Sequence, residues 1–302
     1  MRPRSKKTSK PIGQPPAGAQ PHSARTADES GIAAILLVVV IMLLVTALFS
    51  AFIARIELHT HQALEQAQRN YLANAQTALR NWYAEHASEL DAGGSGSTLP
   101  FPGQEILAKA GVAENWNAEL FVSNEQCIPT AQAELCYHTL WLAVPAVAGA
   151  APSFQGGQFN PGAGQYVSVS GQSIETALYN RAENQLTDVT SMLEEGFAAS
   201  ESAGGVHDAN LDWFAPPGCG TDGDGPFAAC SNNGYNGFIP WSSYLSGSGF
   251  SSPGSNQNAW GLPVQVNNSV SPANDTSPPY AVEIESPLPW GGDISALVTE
   301  TL

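Results

Sequence analysis

Histidines are the side chains best suited to acid–base or metal chemistry near neutral pH, but their spacing in this chain favours structural roles. His59 and His61 lie two residues apart in a helical pattern, so they occupy different faces and do not form a joint metal site. His86 follows in the same pattern, His138 lies in a predicted strand, and His207 lies in a loop. The sequence has no Gly-x-Ser-x-Gly, His-Glu-x-x-His or phosphate-loop motif. We therefore predict that the protein is not an enzyme.

One short acidic motif could hold a hard cation. Residues 221–225 read TDGDG and place the carboxylates of Asp222 and Asp224 among flexible glycines. Calcium takes about six to eight oxygen ligands, and a full EF-hand loop has further acidic positions and a closing glutamate, which this motif lacks. Calcium at Asp222 and Asp224 is the only cofactor that the sequence suggests, and a solvated turn is the alternative.

The four cysteines, Cys127, Cys136, Cys219 and Cys230, all lie in the carboxyl-terminal part of the chain. Disulfides persist outside the reducing cytoplasm, and four cysteines allow more than one pairing. We favour the local pairs, Cys127 with Cys136 and Cys219 with Cys230. The sequence has no Cys-x-x-Cys, so a thiol redox site or a zinc ribbon has little support.

Charge is distributed unevenly along the chain. Of the 11 Lys and Arg residues, six precede residue 31, whereas beyond Arg55 four basic residues accompany 25 acidic ones, a formal charge of −21. Phosphate backbones require the opposite sign, so we expect no direct binding of nucleic acid. Lys and Arg that flank a membrane span remain on the cytoplasmic side. We therefore expect the amino terminus inside the cell and the large carboxyl-terminal part outside the cytoplasm.

The segment from Gly31 to Ala54 reads GIAAILLVVVIMLLVTALFSAFIA and contains no charged residue. A helix of this length reaches about 36 Å, which is enough to cross a hydrocarbon core of about 30 Å. Residues 1–30 are rich in Pro, Ser, Lys and Arg and predict a disordered leader. A secretory signal peptide would have an apolar core of about 7 to 15 residues followed by a small-residue cleavage site. The longer run predicts a single transmembrane helix instead.

The helical pattern continues through residues 55–92. This stretch has neither Pro nor Gly, and its apolar residues recur mostly at spacings of three, four or seven positions, up to Leu90. Gly93 and Gly94 then supply a stop. One helix from Gly31 to about Leu90 would be roughly 90 Å long. Its first half is apolar all round and its second half has one apolar face, which requires a globular domain to cover it.

Residues 93–302 predict an extracytoplasmic head of mixed structure. Helices are predicted at 105–110 and 173–199, the second with Ser173 as its cap, and strands at 118–123, 135–144, 165–170, 262–270 and 280–285. Between them, residues 204–258 are rich in Gly, Ser, Asn and Pro but also in aromatic residues, which favours long ordered loops held by a disulfide. The predicted fold is α+β: a long amino-terminal helix packed on an antiparallel sheet, with an extra helix and disulfide-held loops.

A basic leader, a glycine, an apolar helix and an amphipathic extension together resemble the type IV pilin and pseudopilin class. In that class a membrane peptidase cuts after the glycine, and the new terminus is methylated. The resemblance implies cleavage between Gly31 and Ile32, so that residues 1–31 form a cleaved cytoplasmic leader, residues 32–54 the transmembrane half of a stem helix, and residues 55–92 its amphipathic half. The length of the leader is more similar to the type IVb subclass than to type IVa.

Leu36 is a departure from the pattern of the class. Major pilins have a glutamate five residues after the cut, thought to pair with the terminal amine of a neighbouring subunit, and Leu36 occupies that position here. Some minor pilins and the tip pseudopilin of type II secretion lack this glutamate and are larger than the major subunit. Near the other end, residues 258–263, NAWGLP, are similar to an Asp-x-Trp-Gly-x-Pro turn of several pseudopilins; an aromatic turn packed on the core is the alternative.

The sequence thus leads to a first hypothesis, a minor type IV pilin or pseudopilin that serves pilus assembly priming, tip adhesion or secretion. The resemblance implies an inner-membrane precursor with a periplasmic head, which reaches the pilus or cell surface after assembly. Its implied partners are other pilin or pseudopilin subunits, the prepilin peptidase and the inner-membrane assembly platform. The second hypothesis is an unprocessed single-pass inner-membrane protein with a periplasmic partner-binding domain. An anchored hydrolase is a third and less favoured alternative.

Overall fold

The computed structural model describes residues 27–91, 103–202, 210–219, 223–230, 237–251, 256–268 and 279–300. The chain divides into two compact units, residues 1–64 and 65–302. The described elements are, in chain order, α1 (Ala27–Asp91), α2 (Gly103–Lys109), β1 (Glu119–Val122), β2 (Gln126–Pro129), β3 (Glu134–Tyr137), β4 (Thr139–Val144), β5 (Ser153–Gln155), β6 (Gln158–Asn160), β7 (Gln165–Ser170), α3 (Gln172–Ser202), β8 (Ile239–Pro240), α4 (Trp241–Tyr244), β9 (Gln265–Asn267), β10 (Ala281–Pro287) and β11 (Asp293–Thr299).

In the first unit, residues 27–64 all belong to helix α1. By length and composition this helix contains a candidate membrane span that begins at Ala33, and a signal sequence near an amino terminus would meet the same criterion. None of the residues in its most apolar window is buried within the chain. The long amino-terminal apolar helix that the sequence predicts is therefore present.

The first sheet of the second unit has three antiparallel strands in the order β1-β4-β7. Its strands alternate between two faces, as the pleat requires. Leu140 and Leu142 of β4 and Val169 of β7 lie on the buried face. The opposite face carries Trp141 of β4, with Phe121 of β1 as its partner in register.

The predicted strand 135–144 is wrong in one respect, because it consists of two strands that belong to different sheets. β3 forms a hairpin with β2, whereas β4 pairs with β1 and β7. His138 lies between them: its N–H donates to the Tyr83 hydroxyl at 3.0 Å, and its carbonyl accepts from the N–H of Gly171 at 2.8 Å. Because these bonds satisfy the backbone groups of His138 outside a ladder, the strand changes partners there.

Both disulfides join the local pairs. Cys127 and Cys136 face each other in register within the β2–β3 hairpin, with their Cα atoms 4.0 Å apart, so the bond links two paired strands. This hairpin lies in the connection between β1 and β4, which are themselves antiparallel neighbours. Cys219 and Cys230 join two described segments of the long loop region.

The second sheet has four antiparallel strands in the order β11-β10-β9-β8. Of the predicted strand 262–270, the described residues 262–268 contain the three-residue strand β9. Strand β10 runs on to Pro287, and the unpredicted β11 pairs with it along its whole length. Val266, Ile284 and Ile294 lie on the buried face. Within the described residues, the single predicted antiparallel sheet is therefore two main sheets with two small hairpins, β2–β3 and β5–β6.

Helix α3 packs on β3, β10 and β11 through one apolar face, which comprises Ile174, Leu178, Ala182, Leu186, Val189, Leu193 and Phe197. The three-to-four spacing predicted this face correctly. Ser173 is not the cap, because it lies inside the helix, and the Ser170 hydroxyl accepts the N–H of Gln172 at 3.3 Å. Residues of α1 from Leu72 to Leu90 belong to the same core, so that burial begins further along α1 than the expected transition at Arg55.

Six rings form what we call the inner cluster: Phe197, Trp213, Phe214, Phe227, Tyr244 and Phe250. The two described segments that the second disulfide joins, 210–219 and 223–230, supply Trp213, Phe214 and Phe227. The chain approaches itself closely there, since a Cβ on Gly225 would lie 1.7 Å from the carbonyl oxygen of Trp213. In the described segments of residues 204–258, the aromatic residues therefore pack together in a common core.

Candidate functional site: the exposed apolar helix

The apolar segment of α1 exposes large side chains on every face. Leu36 is 59% exposed, Met42 is 69% exposed and Val39 is 48% exposed, and their neighbours from Ile35 to Leu58 behave similarly. A water-soluble chain rarely leaves such a continuous apolar surface uncovered. The segment therefore requires a covering, either the hydrocarbon of a bilayer or the apolar faces of other helices.

The hydroxyl groups within this segment donate hydrogen bonds to backbone carbonyl oxygens of the same helix. Thr46 donates to the carbonyl oxygen of Met42, and Ser50 donates to that of Thr46 at 2.8 Å. In a hydrocarbon environment an unsatisfied hydroxyl is costly, and a bond to the carbonyl one turn earlier removes that cost. The helix surface is thus chemically compatible with lipid along the whole span.

Gly31 and Ile32, the residues of the predicted cleavage site, lie inside the first turns of α1, which begins at Ala27. The sequence placed the start of the apolar helix at Gly31, and the helical backbone extends slightly before it. Leu36 lies one turn further on, and its apolar side chain is exposed.

The predicted calcium site is described only in part, since Asp222 lies outside the described residues. Asp224 is exposed, and its N–H donates to the carbonyl oxygen of Asp212 at 3.0 Å. Asp212 is buried, and its Oδ1 accepts the N–H of Phe214 at 2.8 Å. Among the described residues, the one group with three metal-ligating side chains in reach of each other is Glu125, Cys127 and Cys136, whose two sulfurs form a disulfide. Calcium at Asp222 and Asp224 remains a prediction.

The histidines of the second unit have structural surroundings. His138 is buried, its Nδ1 lies 2.9 Å from the carbonyl oxygen of Ser123, and burial lowers its pKa. The ring of His86 stacks on Trp82 with centroids 5.1 Å apart, and its Nδ1 lies 3.0 Å from the carbonyl oxygen of Trp82. His207 lies outside the described residues.

The turn at residues 258–263 is built around Asn258. Its Oδ1 accepts the N–H groups of Trp260 and Leu262, each at 3.0 Å, and its amide nitrogen donates to the Ser286 hydroxyl at 3.1 Å. The Trp260 indole N–H donates to Oε2 of Glu175, a fully buried carboxylate on α3, at 2.7 Å. The motif thus ties the second sheet to α3, which is the packing role that the sequence left as an alternative.

Two features of the head went unnoticed in the sequence. Phe121, Trp141, Phe154, Phe159 and Tyr166 form a half-exposed group on the outer face of the first sheet, which we call the outer cluster. On the second sheet, Glu283 and Glu285 of β10 and Asp293 of β11 bring three carboxylates together. Partial burial, then the charges of Asp293 and Glu283, raise the pKa of Glu285 to about 7. Each of β1, β4 and β7 has only one aromatic residue, so the first feature, like the second, depends on cross-strand register.

Comparisons with protein-family models, with curated protein sequences and with solved structures gave no match to this chain.

Proposed function

We propose that the chain is a membrane-anchored filament subunit of the minor type IV pilin or pseudopilin class, released from its leader by cleavage after Gly31. The observation that supports this most directly is helix α1. Its first part exposes apolar side chains on all faces, and its residues from Leu72 onward bury one face in a folded head. A helix of this kind can move from lipid into a bundle of similar helices without changing its surface chemistry.

Leu36 supports a specialised rather than a repeating subunit. A carboxylate in an apolar bundle is costly unless it is paired. A subunit with Leu36 therefore offers no acceptor for the terminal amine of an incoming neighbour. The partners proposed are other pilin or pseudopilin subunits, a prepilin peptidase and an inner-membrane assembly platform, and the head would lie outside the cytoplasm.

The amino terminus of the protein in cells tests this proposal. Mass spectrometry of protein from peptidase-positive cells should find Ile32 as the first residue, and Gly31→Leu should prevent cleavage because the added side chain obstructs the cut. Gly18→Leu is the matched control, since it makes the same change within the leader and should leave processing intact. An amino terminus upstream of Gly31 in the unchanged protein would refute processing.

The second candidate is an unprocessed single-pass protein whose acidic domain binds a periplasmic partner. Leu36 also favours this candidate, because such a protein needs no assembly carboxylate. The same experiment separates the two candidates: the bitopic protein should retain residues 1–31 both with Gly31 and with Gly31→Leu, so that the two masses differ only by the substituted side chain.

A further inference from the structure

The outer cluster is held together by its rings and lies on the surface. The hairpin β5–β6 turns over the first sheet and places Phe159 against Trp141, with centroids 5.3 Å apart and planes 13° from parallel. Phe154 contacts Trp141 at 5.7 Å, and Tyr166 meets the edge of Phe159 at 5.4 Å. Tyr166 is 49% exposed. The result is a patch of aromatic faces and edges that remains accessible to solvent.

This patch lies in a sparsely charged part of a strongly acidic head: the one charged residue of strands β1, β4 and β7 is Glu119, which lies two positions from Phe121 on the same face. Residues 135–174, which include β4 to β7 and four of the five rings, contain no Asp, Glu, Lys or Arg, although the chain as a whole has 27 acidic residues. An anionic ligand would meet repulsion from the surrounding head. A cationic ligand would be drawn to the more numerous carboxylates outside strands β1, β4 and β7. The charge pattern therefore selects a neutral ligand for this face.

Amide and hydroxyl groups accompany the rings. Gln155 and Gln158 are exposed, flank the Gly156-Gly157 turn of the hairpin, and make no side-chain hydrogen bond within the described part of the chain. The Tyr166 hydroxyl likewise makes no hydrogen bond within that part of the chain. Amides both donate and accept, which suits a ligand rich in hydroxyl groups, while aromatic rings suit its C–H faces.

We propose that the outer cluster is a binding platform for a neutral polysaccharide chain. The sugar rings would stack on Tyr166 and the neighbouring aromatic edges, and their hydroxyls would bond with the amides of Gln155 and Gln158. The biological use of such a platform rests on the proposed placement of the head outside the cytoplasm, but not on assembly into a filament.

Affinity electrophoresis of the full-length protein in a non-ionic detergent tests the platform with two polymers of the same backbone. Hydroxyethyl cellulose, which is neutral, should retard the protein, and carboxymethyl cellulose, which is anionic, should not. Tyr166→Ser should weaken the retardation roughly ten-fold through loss of ring stacking. Leu297→Ser is the matched control: it removes a side chain that is 58% exposed on the second sheet and should have no effect.

The outcomes are decisive in each direction. Neutral-polymer retardation that depends on Tyr166 but not on Leu297 supports the platform. No retardation, equal losses in both variants, or stronger binding to the anionic polymer would overturn it. So would a sedimentation result in which the parent is a dimer and Tyr166→Ser a monomer, because a second copy would then cover this face. None of these results bears on cleavage at Gly31, which mass spectrometry tests separately.

Discussion

The inner and outer clusters contain the same kinds of side chain but differ in how polar groups accompany them. In the inner cluster, the Tyr244 hydroxyl donates to the carbonyl oxygen of Phe214 at 2.7 Å. The N–H of Trp213 donates to Oε1 of the buried Glu300 at 2.7 Å. In the outer cluster, the rings contact one another without such anchors among the described residues. Aromatic residues thus order a loop region in one place and form a surface in the other.

The difference shows why aromatic content alone does not identify a binding face. Rings that are buried need partners for every polar atom near them, because an unsatisfied group is costly away from water. Rings at a surface do not, since water satisfies those atoms. The presence or absence of backbone anchors therefore separates a stabilising cluster from an accessible one.

The largest expected effect comes from truncating one ring in each cluster. Phe227→Ala removes a buried ring that stacks on Tyr244 at 4.2 Å and should lower the free energy of unfolding by about 4 kcal/mol. Phe159→Ala removes a half-exposed ring and should cost only about 1 to 2 kcal/mol, because less apolar area is lost from contact. Chemical denaturation measures both losses of unfolding free energy. Equal losses in the two variants would contradict the distinction between a stabilising and an accessible cluster.

Removal of a single hydroxyl group from each cluster tests whether their polar contacts differ. Tyr244→Phe deletes a buried donor and leaves the carbonyl oxygen of Phe214 with one bond fewer, so we expect a loss of about 1 to 2 kcal/mol in unfolding free energy. Tyr166→Phe deletes a hydroxyl that has no partner in the described part of the chain and should cost about 0 kcal/mol. Thermal or denaturant unfolding of the pair provides the test, and a Tyr166→Phe cost as large as that of Tyr244→Phe would contradict it.

The second sheet carries three carboxylates where the first sheet carries the rings of the outer cluster. We expect their substitution to change the free energy of unfolding by a smaller amount. The pKa of Glu285 is about 7 in the folded chain against a usual 4.5. As pH rises from 4.5 to 7, the unfolded state releases its proton first, so stability falls across this window. Glu285→Gln should therefore be more stable than the parent above pH 7, by about 1 kcal/mol after allowance for solvent screening.

Asp293→Asn provides the matching control for Glu285. It removes one of the charges that raise the pKa of Glu285. The pH range over which stability falls should therefore be narrower in this variant than in the parent, but still present. The pH dependence of urea unfolding measures both variants. A parent and a Glu285→Gln variant with parallel profiles from pH 4 to pH 8 would show that Glu285 does not titrate in this way.

Several elements were predictable because a local pattern specifies them. The apolar run and the three-to-four spacing gave α1 and α3, since a helix needs only its own neighbours for its hydrogen bonds. Strand β11 was missed although Ile294, Ala296 and Val298 alternate, because the exposed Leu297 between Ala296 and Val298 interrupts the polar–apolar pattern. The small hairpin β5–β6 was missed because its strands have three residues each and depend on ring contacts with the first sheet.

By itself, the sequence determined the apolar helix, its amphipathic continuation, the α+β class and the acidic character of the head, because composition and periodicity act locally. Only the tertiary structure decided that the strand breaks at His138, since Tyr83 and Gly171 come from distant parts of the chain to bind its backbone. It also decided which aromatic residues are buried. The burial of a ring depends on what packs over it, and no spacing along the chain records that.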